Sequence, residues 1–275
     1  MRTKIEEGFK PEGTPDLKYY AFDWDDNIVH MPTKIILKNE DGGDVLMSTA
    51  DFADYRSKIG KGPFEYNGET VVGFADDPLR NFGTKGDSNF LIDAMKAKPG
   101  PAFDDFKEAI NNGSIFSIIT ARGHNPETLK EAVYNYIIDG FNGIDKDELI
   151  KNLKKYRSFV DEDDMTDDEL IRSYLELNKY HPVTFGDTAG AVNPEEAKVD
   201  AMENFVSYIK AMANVLGSKA FLKKDMAFKF DPSDILIGFS DDDPKNVEVM
   251  RKHFKEKPDN LVKTYSTAGG IKKEV

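Results

Sequence analysis

The sequence predicts an α/β fold, a parallel sheet covered by helices on both faces. Short apolar runs of strand length at 18–22, 114–120, 182–185, 235–239 and 261–265 alternate with helix-length segments. Polar clusters fall directly after three of these runs: Asp23 and Asp25, Thr120 and Arg122, Asp241 and Asp242. In such sheets ligands sit outside the carboxyl ends of the strands, so the two observations support each other. A length of 275 residues is ample for one large core with an insertion.

Residues 1–17 are charged and carry Pro and Gly, which reads as a poorly ordered lead-in. Residues 18–22 form the first strand. The β-rich runs 33–37 and 45–48 flank the turn-forming stretch Asn39-Glu40-Asp41-Gly42-Gly43-Asp44 and predict a β-hairpin. Residues 49–59 read as helical, whereas 60–100 is rich in Gly, Pro and aromatics without a steady period, so 31–100 is an expected insertion. Residues 101–112 suit an amphipathic helix with Phe103, Phe106, Ala109 and Ile110 on one side, stopped by Asn-Gly. A buried strand follows at 114–120, then helices at 126–138, 146–156 and 166–177. The short strand expected at 182–185 leads into a loop with Asp187 and Gly190. A long helix at 195–216 opens at Asn193-Pro194, a good start signal. A strand at 235–239, a helix at 244–254 and a strand at 261–265 complete the chain.

Composition narrows the function. Lys+Arg number 37 against 50 Asp+Glu, a formal charge of −13, which argues against general affinity for nucleic-acid backbones or anionic membranes. The absence of cysteine removes disulfides, thiolate metal sites and cysteine nucleophiles and fits a reducing, cytoplasmic setting. The N-terminus lacks a signal-type apolar stretch, and no apolar run approaches the ~18 residues of a membrane span.

The strand-end clusters carry the chemistry. Residues two apart leaving a strand point the same way, so Asp23 and Asp25 can divide labour as nucleophile and general acid/base; a solvated turn is the plainer alternative. Asp241 and Asp242 add carboxylates at a second strand end, a donor set that suits Mg²⁺, although such a run also serves as a helix cap, and Asp243 before Pro244 fits that cap. Thr120 offers a hydroxyl followed by helix-start N–H groups, which suits a phosphate oxygen. Lys198 opens the long helix, against the helix dipole, as if facing an anion; Lys210 is its rival on the same helix. The four histidines share no metal-ligand spacing, and His30 and His124 are neighbours of two clusters. The lysine-rich stretches 151–157 and 219–229 read as solvated faces.

In order, these segments resemble the four motifs of the haloacid dehalogenase (HAD) superfamily, chiefly its Mg²⁺-dependent phosphatases. Phe22-Asp23-Trp24-Asp25-Asp26-Asn27-Ile28 is similar to the first motif, with Asn27 where Thr or Val is usual, a departure expected to alter loop packing. Trp24 carries no assigned role. Ile118-Ile119-Thr120-Ala121-Arg122-Gly123 is similar to the second motif, Lys198 to the third, and Ile237-Gly238-Phe239-Ser240-Asp241-Asp242 to the fourth. The resemblance implies a three-layer Rossmann-like core from 18–30, 101–125 and 182–275. It also implies a β-hairpin flap with a cap in 31–100, and a smaller helical insertion in 126–181. It further implies phosphomonoester hydrolysis with Asp23 as nucleophile and Asp25 as acid/base. Mg²⁺ would be held by Asp23, the Asp25 carbonyl, Asp241 and Asp242, and the phosphate by Thr120 and Lys198. Arg122 and His124 lie where a leaving group or second phosphate would sit. A small-molecule phosphate ester is the expected partner. A phosphotransferase, a polynucleotide end phosphatase and a non-catalytic phosphate- or metal-binding module are the alternatives. The charge disfavours a long polyanion without excluding nucleic acid, and oligomeric state is not legible.

Overall fold

A computed structural model describes residues 19–157, 165–187, 192–217, 236–257 and 261–275. The lead-in 1–17, Lys18, Gly190 and the lysine-rich stretch 219–229 lie outside the described residues. Along the chain the elements are β1 (Tyr19–Phe22), β2 (Val29–His30), β3 (Ile35–Asn39), β4 (Asp44–Met47), α1 (Thr49–Tyr55), β5 (Phe64–Tyr66), β6 (Glu69–Phe74), α2 (Asp87–Lys96) and β7 (Lys98–Pro99). Then come α3 (Phe103–Asn111), β8 (Phe116–Thr120), α4 (Pro126–Ile138), α5 (Lys146–Arg157), α6 (Asp167–Leu177), β9 (Lys179–Pro182), α7 (Pro194–Gly217), β10 (Ile237–Asp241), α8 (Pro244–Lys255), β11 (Val262–Ser266) and β12 (Lys273–Glu274).

Six strands form the central sheet in the order β12-β11-β10-β1-β8-β9. All neighbours are parallel except the edge pair β11–β12. Strand alternation feeds two cores. Tyr19 and Ala21 of β1 pack with Val199, Met202, Phe205 and Ile209 of α7 and with Met250 and Phe254 of α8, apolar positions at helical spacing. Phe22, with Phe116 and Ile118 of β8, points to the other face and meets Phe106 of α3, Leu129 and Val133 of α4, and Leu170 and Tyr174 of α6. The chain is therefore α/β, with a mostly parallel central sheet flanked by helices, compatible with a Rossmann-like fold. Residues 126–181, read from sequence as a small insertion, supply helices over this face and the edge strand β9. Among the described residues no helix is long and apolar enough to cross a membrane.

The segment 31–100 leaves and re-enters through a two-stranded ribbon in which β2 pairs antiparallel with β7. Inside it, β4-β3-β6-β5 make a separate antiparallel sheet around Leu37, Val45, Met47 and Val71. The β3–β4 hairpin forms as the turn residues require: Asn39 Oδ1 accepts from Gly43 N at 2.7 Å, and Gly42 has φ +78°. The stretch 60–100, which shows no steady period in the sequence, holds β5, β6 and α2. The β5–β6 hairpin turns on Asn67 and Gly68, both at positive φ (51° and 83°), a two-residue turn whose signal is present in the sequence. Helix α2 sends Phe90 and Ala94 into the same core as Trp24 and Tyr136.

One expected strand is displaced. The strand is the polar Lys179–Pro182; of the run 182–185 only Pro182 belongs to it, Val183 N still donates to Thr120 O at 2.9 Å, and the chain then turns, with Phe185 N donating to Pro182 O at 2.9 Å. As an edge strand with one neighbour, β9 needs no continuous apolar run.

Candidate active site

Register builds the site. Phe22 of β1 pairs with Ser240 of β10 and with Ile118 of β8. Asp23, one step on, emerges level with Asp241, its N–H donating to Ser240 O at 2.9 Å, and Thr120 ends β8 on the same side. One residue of the first loop then locks it. Asn27, fully buried, donates to Asp23 O (3.0 Å), Ser240 O (3.1 Å) and Ser240 Oγ (3.0 Å), and its Oδ1 accepts from Thr267 Oγ1 at 2.8 Å. The Asn27 amide thus ties the first loop to the ends of β10 and β11.

Three carboxylates converge: one oxygen each from Asp23, Asp241 and Asp242 lies within 4.8 Å of the others. Lys198 Nζ, buried in the first turns of α7, donates to Asp23 Oδ1 at 2.8 Å and to Asp241 Oδ2 at 2.7 Å. Lys210 lies 12 residues further, about 18 Å along the helix, and does not line the cavity above the site. Asp241 also accepts from Asp243 N (2.9 Å) and from Asn246 Nδ2 (3.0 Å), while Asp243 caps α8 by accepting from Lys245 N. One ammonium cannot balance three buried or half-buried acids. Burial, with the charges of Asp241 and Asp25 adding to it, pushes the Asp23 carboxyl well above its ordinary range against the pull of Lys198. Burial and the Asp23, Asp241 and Asp26 charges push Asp242 up to about 9. Burial alone would lower the Lys198 ammonium, but Asp23 and Asp241 outweigh it and hold it charged. A hard divalent cation fits this donor set, which is all oxygen and lacks positive charge.

Asp25 stands apart from the three. Both its oxygens accept from Arg122, Nε to Oδ2 and Nη2 to Oδ1, each at 2.7 Å. Arg122 is itself buried, its guanidinium 4.5 Å from the Phe82 ring centroid. Its backbone N–H points to Thr120 Oγ1 at 3.3 Å. Of the expected site residues, Asp23, Asp25, Thr120, Arg122, Lys198, Asp241 and Asp242 all line one cavity of about 650 Å³. His30 is exposed and outside the cavity lining, though it pairs at 2.8 Å with Asp26, which does line it, whereas His124 is buried beside Arg122.

The cavity's other wall comes from 31–100. Phe52, Leu79, Phe82 and Arg80 line it, and Arg56 reaches across to Asp243 (3.0 Å) and Glu195 (3.4 Å) on the core side. Asn246 and Arg56 are not marked for the site by the sequence, and Asn27 is marked there only for loop packing. Their partners lie up to 240 residues away in the chain, and only the Asn at the fourth place after Asp23 gave a signal. Comparison with protein-family models, curated proteins and solved structures returns no significant match.

Proposed function

We propose that the protein is a Mg²⁺-dependent phosphomonoester hydrolase of the HAD type, forming an aspartyl-phosphate on Asp23. The observation that carries the reading is the convergence of Asp23, Asp241 and Asp242 with buried Lys198 under a cavity whose wall also presents Asp25. Asp23, Asp241 and Asp242 would hold Mg²⁺, with the Asp25 carbonyl completing the set by analogy with the family pattern. Bound there, the cation neutralises charge so that a carboxylate can approach a phosphate.

An Asp23 oxygen attacks phosphorus in line, forming the acyl-phosphate bond as the ester P–O bond breaks. Asp25, having taken a proton from solvent on an oxygen released by one Arg122 hydrogen bond, gives it to the departing oxygen, then takes one from the water that attacks the same phosphorus. The second attack breaks the bond to Asp23 and releases inorganic phosphate. Thr120 and Lys198 stabilise the transferring oxygens, the electrostatic part that dominates phosphoryl transfer. Segment 31–100 acts as flap and cap. Its apolar rim, with Phe185 from the core and Arg56 and Arg80 nearby, suits a small ester with an apolar or aromatic leaving group, nucleotides included.

The test is p-nitrophenyl phosphate hydrolysis with Mg²⁺, with EDTA, and with the Asp23→Asn variant. Turnover should need the cation and fall by about a thousandfold or more in the variant. Unchanged turnover in Asp23→Asn refutes the assignment. Calorimetric Mg²⁺ binding with no hydrolysis of any of a broad phosphate panel identifies a binding module instead.

A further inference from the structure

Behind Arg122 the hydrogen bonds continue away from the site. Its Nη1 lies 3.2 Å from His124 Nε2, and His124 Nδ1 lies 2.8 Å from Asp87 Oδ1. Asp87 opens α2, so the line Asp25–Arg122–His124–Asp87 runs from the core loop into segment 31–100. The same junction is stitched by Gly123 N donating to Phe82 O at 2.8 Å. His124 is fully buried, with its ring 4.5 Å from that of Phe90.

A guanidinium only donates, so His124 Nε2 must carry the lone pair and Nδ1 the proton, which goes to Asp87. Burial and the Arg122 charge both push the imidazole below its ordinary range, against the pull of Asp87, consistent with a neutral ring. Arg122 uses one edge, Nε and Nη2, on Asp25, and Nη1 on His124. A planar fork orients a carboxylate only if its own plane is fixed. Here the Phe82 and Phe90 faces hold it from the sides, and His124 from behind.

We propose that His124 and Asp87 are positioning residues for Asp25, acting through Arg122, so that the seating of α2 sets the placement of the acid/base carboxylate. The inference rests on the reading of Asp25 as acid/base. It gives Asp87 a task that a surface acid at a helix start would not have: selecting the histidine tautomer that accepts from arginine. Asp87→Asn keeps the shape but lets the Nε2–H tautomer form, which sets donor against donor.

The test compares wild type with Asp87→Asn and His124→Leu in two measurements. One is Mg²⁺-supported p-nitrophenyl phosphate turnover. In both variants kcat should fall about 10- to 100-fold, the usual loss when an outer-shell partner is removed. KM should stay within about twofold, since ground-state binding is untouched. The other is the ¹⁵N-edited NMR signal of the Arg122 Nε–H, assigned by its loss in Arg122→Lys. It should be protected from solvent exchange in wild type and lose at least about tenfold of that protection in both variants as the buried pair opens. An unchanged Nε–H signal in both variants overturns the proposal, as does unchanged kcat in an active enzyme. A wild type without turnover would instead defeat the phosphatase reading, and the Nε–H comparison would still decide whether His124 and Asp87 hold Arg122 on Asp25.

Discussion

Lys198→Met removes the ammonium that bridges Asp23 and Asp241 and leaves the stem's volume in place. Two charge-assisted hydrogen bonds are lost, at 2.8 and 2.7 Å, between groups that are almost wholly buried. At about 1.5–3 kcal/mol each they sum to about 3–6 kcal/mol, in line with the roughly 3–5 kcal/mol of breaking a buried ion pair. Proton uptake by the orphaned carboxylates returns part of this, so the cost is largest at alkaline pH. For a chain of this size it moves the urea midpoint down by about 1–2 M. Urea unfolding at pH 8 in EDTA measures the loss, and a parallel series in saturating Mg²⁺ tests its origin. The cation replaces the missing positive charge, so the gap between variant and wild type should shrink by more than half. If the two proteins unfold together in EDTA, or Mg²⁺ leaves the gap unchanged, the charge accounting at this site is wrong.

Two further outcomes follow from the same site. The folded state keeps on Asp242, at about 9, a proton that the unfolded chain releases near pH 4, so the folded form binds more protons between those values. Stability of the metal-free protein therefore falls as pH rises from 6 to 9, by up to about 1.4 kcal/mol per pH unit from this group. Mg²⁺ should raise Tm more at pH 8 than at pH 6, because the proton it displaces costs less free energy to release at the higher pH; scanning calorimetry showing an equal gain at both contradicts this. Asn27→Val strands the Thr267 hydroxyl and the Asp23 carbonyl in the core, costing about 2–4 kcal/mol. Tm should drop by roughly 5–15 °C, and an unchanged Tm would show that the amide is not what ties these loops together.

What the sequence made legible was whatever periodicity and strand ends could encode. The apolar runs ending at Phe22 and Thr120, and the one through Phe239 to Asp241, identify central strands because both their faces are buried. Parallel pairing in register then brings Asp23, Thr120 and Asp241 together without further instruction. Pro126 and Pro244, each preceded by a capping Asn125 or Asp243, fix two helix starts to the residue. Edge strand β9 and the strands of 60–74 were harder because half-exposed strands lack a continuous run, although Asn67-Gly68 marked a turn. Pairings such as Arg122 with Asp25, 97 residues apart, or His124 with Asp87, 37 apart, are products of tertiary packing and have no spacing to read. The choice between Lys198 and Lys210 needed only the position of the helix start relative to the strand ends, which the structure supplies.

The chain has a single tryptophan, and it sits between Asp23 and Asp25. Trp24 is fully buried, stacked on Tyr136 with ring centroids 5.8 Å apart and tilted against Phe90 of α2 at 5.5 Å. Its indole N–H finds no acceptor among the described residues. All tryptophan fluorescence therefore originates at one point, in an apolar nest shared by the first site loop and helix α2 of the opposing segment. Emission is set to the blue, and its wavelength and quenching respond to whatever shifts that loop or unseats α2. Occupancy of the site and movement of the segment over it can be followed by light, on the native chain, with no label and no turnover.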